Sequence, residues 1–251
     1  MLSRASDDRP DLAALERAAR EVAAEWGIEL GAPFSLARYS FVAPAGDHSV
    51  LKVTPPDDDE SDEEADALAL WKGDGAVRLL RHDRERRALL FERARPGDDL
   101  SGLPEDEATA IAVAVGAKLW RPVAAPFRSI HDHVPAWLEN AGATPVARYL
   151  YARLGQRGHT LVHGDFHHHN VLRSARGWLA IDPKPMLGEP EYDVASFLWN
   201  PVPARLRVEH LESRLAAFAA VGLDEERMRA WTVIRGAYLQ PQEAEALRAL
   251  V

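Results

Sequence analysis

The chain has 251 residues, enough for one large domain or two small lobes with a buried core. It contains no cysteine, which excludes disulfide bonds and thiolate metal sites. A formal net charge of −9 disfavours nucleic acid as a partner and would suit a cationic small molecule. No apolar run reaches the ~18 residues that a transmembrane helix needs, and the N-terminus lacks an apolar signal core. We therefore expect a cytoplasmic protein with no membrane partner.

The first part of the chain predicts a small antiparallel sheet with two helices. Apolar residues at helical spacing predict an amphipathic helix over 11–26. A second helix is expected after the acidic run 57–60, and it should end at about Trp71, before Gly73. Strand-like segments, the last two joined by a charged hairpin loop, are predicted at 34–42, 49–53, 76–80 and 87–92.

From Pro104 onward the sequence is mainly helical, with predicted helices at 104–119, 128–156, 203–220 and 224–239. A strand-rich island at 161–182 interrupts these helices. Proline and glycine after Arg95 break the pattern and indicate a hinge near 92–98. These features predict an α+β protein with an N-terminal lobe over 1–93 and a helical C-terminal lobe over 94–251.

The island 161–182 carries the densest polar chemistry in the chain. Asp165 and Asn170 lie in a loop after a short apolar strand, and Asp182 ends a later strand. Their oxygen atoms can converge at the strand ends and offer ligands to a hard cation such as Mg²⁺. Taken alone, Asp165 and Asn170 are also typical of loop residues that bond to nearby backbone.

These residues resemble a known catalytic pattern. His163-Gly164-Asp165 with Asn170 five residues on, followed by Ile181-Asp182, resembles the catalytic loop and metal-binding aspartate of aminoglycoside phosphotransferases and related kinases. Further similarity points to the streptomycin 6-phosphotransferase and hydroxyurea-resistance kinase family, and it lies in Trp71–Leu80, Asp182-Pro183-Lys184 and Gly188-Glu189-Pro190-Glu191-Tyr192-Asp193. The resemblance covers residues 33–200. It implies a protein-kinase-like fold with a small, sheet-rich nucleotide-binding lobe and a mainly helical lobe that holds the catalytic loop and the acceptor site.

The resemblance also implies roles in phosphoryl transfer from ATP. Asp165 would orient the acceptor hydroxyl and take its proton, while Asn170 and Asp182 would bind Mg²⁺. Lys52 matches the strand lysine that contacts the α- and β-phosphates. Its expected partner is Glu64, and Glu63 is the nearest rival.

The remaining nucleotide contacts depart from the usual pattern. No glycine-rich phosphate loop precedes Lys52, so backbone amides around Ser40 are expected to serve instead. By resemblance, a hinge segment would offer its backbone to the adenine edge, and it comprises Phe91, Glu92, Arg93 and Ala94.

The three consecutive histidines 167–169 do not have the spacing of a zinc site. His163 is expected to hold the catalytic loop by hydrogen bonds, and His167, which matches a family histidine, to shape it. Asp193 is expected to cap backbone amides near that loop rather than bind metal. Acceptor contacts are expected from Glu189, Glu191 and Lys184, and a salt bridge between Lys184 and either glutamate is an equal alternative.

The resulting functional prediction is an ATP-dependent O-phosphotransferase. Its acceptor would be a hydroxyl group of a small molecule. The first candidate is an aminoglycoside antibiotic of the streptomycin type. One alternative keeps the chemistry but changes the acceptor to a sugar, a choline-like alcohol or hydroxyurea. Another is a nucleotide-binding regulatory module without turnover, which the weak phosphate loop would favour.

Overall fold

The computed structural model describes residues 10–35, 37, 39–124, 127–141, 143–155, 158–201 and 208–239. The helices are α1 Leu12–Trp26, α2 Glu64–Trp71, α3 Glu105–Leu119, α4 Ile130–Asn140, α5 Pro145–Leu154, α6 Pro190–Leu198, α7 Val208–Ala219 and α8 Glu225–Leu239. The strands are β1 Phe41–Ala45, β2 Ser49–Val53, β3 Leu79–Asp83, β4 Ala88–Glu92, β5 Arg121–Pro122, β6 Thr160–Val162, β7 Val171–Ser174, β8 Gly177–Ala180 and β9 Met186–Gly188. None of the described helices is long and apolar enough to cross a membrane.

The chain divides into two compact units. The sheet unit contains residues 10–98 and 172–181, and the helical unit contains residues 99–171 and 182–239. The division falls at residue 98, whereas the sequence predicts a boundary at 93. The segment 172–181 lies inside the predicted C-terminal lobe but belongs to the sheet unit.

The sheet unit is built on four antiparallel strands in the order β1-β2-β4-β3. The Asp11 side chain caps α1 by accepting the Ala14 N–H at 3.0 Å. Because apolar residues recur on one face of α1, that face packs on β1 and β2, and the shared core includes Val22, Phe41 and Leu51. This packing fixes β2, the strand that carries Lys52.

Two predicted strands have different limits in the structure. The first was expected at 34–42 but begins at Phe41, because the chain folds back so that the Phe34 N–H donates to the Val42 carbonyl at 2.8 Å. The third was expected at 76–80 but begins at Leu79. Ala76 instead forms a parallel bridge with Ala180 of β8. This bridge joins the two-stranded β7–β8 hairpin to the rest of the sheet unit.

The helical unit is organised around α8, which packs against α4, α5, α6 and α7. Its long buried face includes Trp231 and Ile234. The single helix predicted over 128–156 is wrong, because the structure has α4 and α5 there. Thr144 caps α5 by accepting the Ala147 N–H, and Pro145 occupies the first helical turn. Residues 203–207 of the next predicted helix lie outside the described residues.

Candidate active site

A tight turn shapes the start of the catalytic loop, which we define as residues 163–170. Strand β6 leads into it, and the Lys184 N–H donates to the His163 carbonyl at 2.8 Å. Gly164 adopts a positive φ of 82°, and a Cβ there would lie 1.9 Å from the Lys184 carbonyl oxygen. Glycine is therefore required at this position by both conformation and space.

Asp193 holds the same turn from inside the unit. Its buried carboxylate accepts the His163 N–H at 2.7 Å and the Gly164 N–H at 2.8 Å. Trp120 donates its Nε1–H to the same carboxylate at 2.9 Å. Burial raises the pKa of Asp193, while His163 and these donors oppose that rise. Asp193 thus accepts two backbone amides of the loop, in the position expected for a residue that caps them.

The turn presents Asp165 with a side chain that is 39% exposed. The Asp165 N–H donates to His163 Nδ1 at 3.3 Å, so His163 does hold the loop by a hydrogen bond. Burial raises the pKa of Asp165, but a hydrogen bond from His167 and the positive charge of Arg235 outweigh this effect. The pKa of Asp165 therefore lies below its usual value. Asp165 is consequently a carboxylate at neutral pH.

Asn170 is oriented by Asp165. Its Nδ2 donates to the Asp165 carbonyl at 2.9 Å and lies 3.4 Å from Oδ2 of the same residue. This leaves the amide oxygen as the atom of Asn170 that a cation would meet. Asp182 has a positive φ of 54°, a strained conformation for a residue with a side chain and one that is concentrated at functional sites. The side-chain oxygens of Asn170 and Asp182 are the kind of ligand that suits Mg²⁺, which would take its remaining ligands from phosphates and water.

The three histidines that follow Asp165 separate into different environments. His167 lies 3.5 Å from Asp165 Oδ2, and its ring accepts the His169 N–H, so both of its contacts are within the loop. His168 is buried and stacks on Phe197 at 4.1 Å, and burial lowers its pKa to about 3. His169 lies 2.6 Å from Asp99. Among the described residues, no group of three or more His, Cys, Asp or Glu could hold a metal ion.

The sheet unit contains the predicted lysine–glutamate pair. Lys52 on β2 and Glu64 at the start of α2 are both buried, and Nζ lies 2.6 Å from Oε2. The partner is therefore Glu64, as predicted, whereas its rival Glu63 takes the N-cap position of α2. A buried ion pair contributes little net stability because both ions lose their hydration.

Two backbone N–H groups of the predicted hinge already form hydrogen bonds within the sheet unit. The Glu92 N–H donates to the Arg78 carbonyl at 2.9 Å, and the Arg93 N–H donates to the His48 carbonyl at 2.8 Å. Any adenine contact would therefore use the carbonyl groups of 91–94 or the Ala94 amide. Ser40 lies in a bend directly before β1.

The two glutamates predicted to contact the acceptor are buried in the helical unit. Glu189 lies 2.6 Å from Arg227 Nη2 and also accepts a hydrogen bond from Trp231. Glu191 accepts the Asp224 N–H at 3.0 Å, and burial raises its pKa. These positions favour a structural role for both side chains. Glu189 pairs with Arg227, whereas a salt bridge between Lys184 and either glutamate was one of the two alternatives predicted from the sequence.

Sequence analysis missed the buried arginines of the helical unit. Arg227 and Arg235 lie on the same face of α8 as Trp231, and both are buried. Arg235 donates to the Gly164 carbonyl at 3.3 Å and so reaches the catalytic loop. The available signal was the spacing of these arginines, eight residues apart on an otherwise apolar helix face.

Comparison with known proteins agrees with this arrangement. Residues 34–240 match the sequence profile of the aminoglycoside/hydroxyurea antibiotic resistance kinases. The chain is 34% identical to a hydroxyurea phosphotransferase from Kitasatospora aureofaciens, over 84% of this chain and 67% of that one. It is 31% identical to a streptomycin 6-kinase from Streptomyces glaucescens, over 88% and 80%.

The fold is also found among solved structures. The choline kinase LicA from Streptococcus pneumoniae aligns with a TM-score of 0.63 at 12% identity, over 95% of this chain and 91% of that one. This likeness supports the α+β, protein-kinase-like fold. The sequence profile and the two sequence relatives extend it to activity, because all of them are phosphotransferases. The chain belongs to the family of aminoglycoside/hydroxyurea antibiotic resistance kinases.

Proposed function

We propose that the chain transfers the γ-phosphoryl group of ATP to a hydroxyl of a streptomycin-type aminoglycoside. The observation that carries this proposal is the catalytic loop, in which Asp193 fixes the turn and Asn170 donates to the backbone carbonyl of the partly exposed Asp165. The sequence relative from Streptomyces glaucescens, a streptomycin 6-kinase, supports this acceptor. The net charge of −9 also suits a cationic acceptor.

In this reaction Asp165 would accept a hydrogen bond from the acceptor hydroxyl and take its proton. The lowered pKa keeps Asp165 ionised at neutral pH, so its carboxylate is available to accept a hydrogen bond from the acceptor hydroxyl. In a loose phosphoryl-transfer transition state the attacking oxygen needs little activation, and catalysis depends on position and charge.

The same proposal assigns the remaining site residues. Asn170 and Asp182 would hold Mg²⁺, which neutralises negative charge on the phosphate oxygens when bound. Lys52, held by Glu64, would contact the α- and β-phosphates. The backbone near Ser40 and the carbonyl groups of 91–94 would complete the nucleotide contacts.

Hydroxyurea is the second candidate acceptor. The relative from Kitasatospora aureofaciens, a hydroxyurea phosphotransferase, favours it. A regulatory module without turnover is disfavoured, because the buried Lys52–Glu64 pair and the ordered Asp165–Asn170 contact are both present.

The test is ATP consumption by the purified protein with streptomycin, other aminoglycosides, hydroxyurea and simple alcohols. Asp165→Ala is expected to lower kcat with the accepted substrate by at least ~10²-fold, because it removes the positioning base. Binding of ADP and Mg²⁺ should persist in that variant. Asp106→Ala, an exposed change in the same unit, is the matched control and should keep wild-type kcat. No turnover with any acceptor, or full turnover in Asp165→Ala, would contradict the proposal.

A further inference from the structure

Arg235 is a buried cation beside the catalytic loop that the reaction described above does not use. It lies on α8, with only 4% of its surface exposed. Its guanidinium carbon lies 4.2 Å from the centre of the Tyr192 ring. Its Nη2 donates to the Gly164 carbonyl and to Ser196 Oγ, both at 3.3 Å.

The position of Arg235 is costly. Within the described part of the chain, its buried Nε and Nη1 atoms have no hydrogen-bond partner. No carboxylate of the described residues lies within ion-pair distance of the Arg235 guanidinium. Asp165 and Asp193 act on its charge from farther away. A buried charge without a close counter-ion is destabilising, and apolar residues of similar volume often replace such charges without loss. A purely structural role therefore does not explain an arginine here.

The contact with Gly164 provides an explanation. Asp193 accepts the N–H groups of His163 and Gly164, so it holds this peptide segment by its donors. Arg235 binds the Gly164 carbonyl, which belongs to the peptide group that continues into Asp165. Asp193 thus holds two N–H groups of the turn, and Arg235 holds one of its carbonyl groups. Asp165 therefore leaves that turn in a fixed direction.

The charge of Arg235, like its hydrogen bond, helps to hold the catalytic loop in place. Two carboxylates, Asp165 and Asp193, lie in its field, and both belong to or support the loop. A neutral side chain of equal length would fill the space but would neither bind the carbonyl nor attract these carboxylates. The planar guanidinium can do both at once and still stack on Tyr192.

We infer that Arg235 is a positioning residue for phosphoryl transfer, which holds Asp165 in its productive direction through the Gly164 carbonyl. This inference rests on the proposed function, because it assigns Asp165 to the reaction. It predicts that Arg235 affects the rate of transfer far more than it affects nucleotide binding or stability.

The test compares Arg235→Met and Arg235→Lys with Arg229→Met, which removes an arginine from the same helix whose partners are Glu212 and Glu225. Arg235→Met should fold, and its kcat should fall ~10²-fold, because a misplacement of about 1 Å can cost that much. The KM for ATP should stay within about threefold. Arg235→Lys should recover about tenfold of the lost kcat, since it restores the charge without the planar fork. Arg229→Met should keep wild-type kcat.

Hydrogen–deuterium exchange of residues 160–170 provides a readout that does not depend on the acceptor. Arg235→Met should speed exchange in this segment, whereas Arg229→Met should not. Wild-type protein that phosphorylates no acceptor would contradict the proposed function, and the exchange result would still decide whether Arg235 holds the loop. Arg235→Met with unchanged kcat or unchanged exchange would overturn the inference. Equal losses in kcat for Arg235→Met and Arg235→Lys that follow the thermal stability would overturn it too.

Discussion

Gly164 shows how closely the backbone is packed around Asp165. Its positive φ leaves it in a conformation that side chains rarely adopt, and the Lys184 carbonyl occupies the place where a Cβ would lie. Lys184, two residues after Asp182, therefore constrains the turn that presents Asp165.

Gly164→Ala should lower the free energy of unfolding by roughly 2–5 kcal/mol, because it adds left-handed strain to a clash with backbone. The kcat should fall as well, since Asp165 must move. Gly27→Ala is the control, because Gly27 also has a positive φ but has no atom within 4 Å of an added Cβ. It should cost only about 1 kcal/mol and leave kcat unchanged. Urea denaturation and steady-state kinetics would check both, and equal effects of the two changes would contradict the explanation.

The sequence predicts the loop residues well because they are contiguous. His163, Asp165 and Asn170 follow one another at a fixed spacing. The expected role of Asp193 rests instead on the family resemblance, because the amides that it accepts lie 30 and 29 residues away in the chain. Arg235 could not be found in this way, because its contact with Gly164 joins residues 71 apart in the chain. The same holds for Glu189, whose polarity alone suggested a ligand but whose partner Arg227 lies on α8.

Helices α6 and α8 are joined by a polar cluster inside an apolar interface. Glu189 directly precedes α6 and accepts hydrogen bonds from Arg227 and Trp231, both on α8. Arg227 also donates to the Leu154 carbonyl at the end of α5 at 3.0 Å. One carboxylate therefore ties the end of α5, the start of α6 and the centre of α8. This cluster accounts for the buried Glu189 without any ligand contact.

Glu189→Ala should lower the free energy of unfolding by about 3–5 kcal/mol, because it leaves the Arg227 charge buried without its carboxylate. Changing both partners, as Glu189→Leu with Arg227→Met, should recover part of that loss. Glu212→Ala serves as the control, since it breaks an exposed pair with Arg229 and should cost no more than about 1 kcal/mol. Urea denaturation measures all three, and the explanation fails if Glu189→Ala is as mild as Glu212→Ala.

Helices and strands were predictable where one local pattern dominates. Strand β2 and helix α8 lie close to their predicted limits, because β2 is a short, valine-rich segment and the helical spacing of α8 is clear. The interval 128–156 was misread because its apolar spacing continues through the Thr144-Pro145 cap. The interval 76–80 was misread because Ala76 pairs with Ala180, a partner that no local pattern reveals.

A ligand that binds only the folded chain stabilises it by mass action. ADP with Mg²⁺ at ~100 times its Kd should add about 2.7 kcal/mol, which for a chain of this size raises Tm by roughly 5–11 °C. Removing Mg²⁺ with EDTA, or changing Lys52→Met, should reduce the shift strongly. Lys118→Met, an exposed change, should preserve it. A shift that survives both EDTA and Lys52→Met would contradict the roles given to Mg²⁺ and Lys52.

The hairpin formed by β7 and β8 lies between Asn170 and Asp182 in the chain, yet residues 172–181 belong to the sheet unit. The Ala180 N–H donates to the Gly75 carbonyl, and the Arg173 N–H donates to the Asp98 carbonyl, both at 2.8 Å. A fragment cut at residue 98 would therefore separate this hairpin from the backbone groups that it pairs with. The two units are not interchangeable modules, and chimeras that exchange one unit between relatives need to carry the hairpin with the N-terminal half.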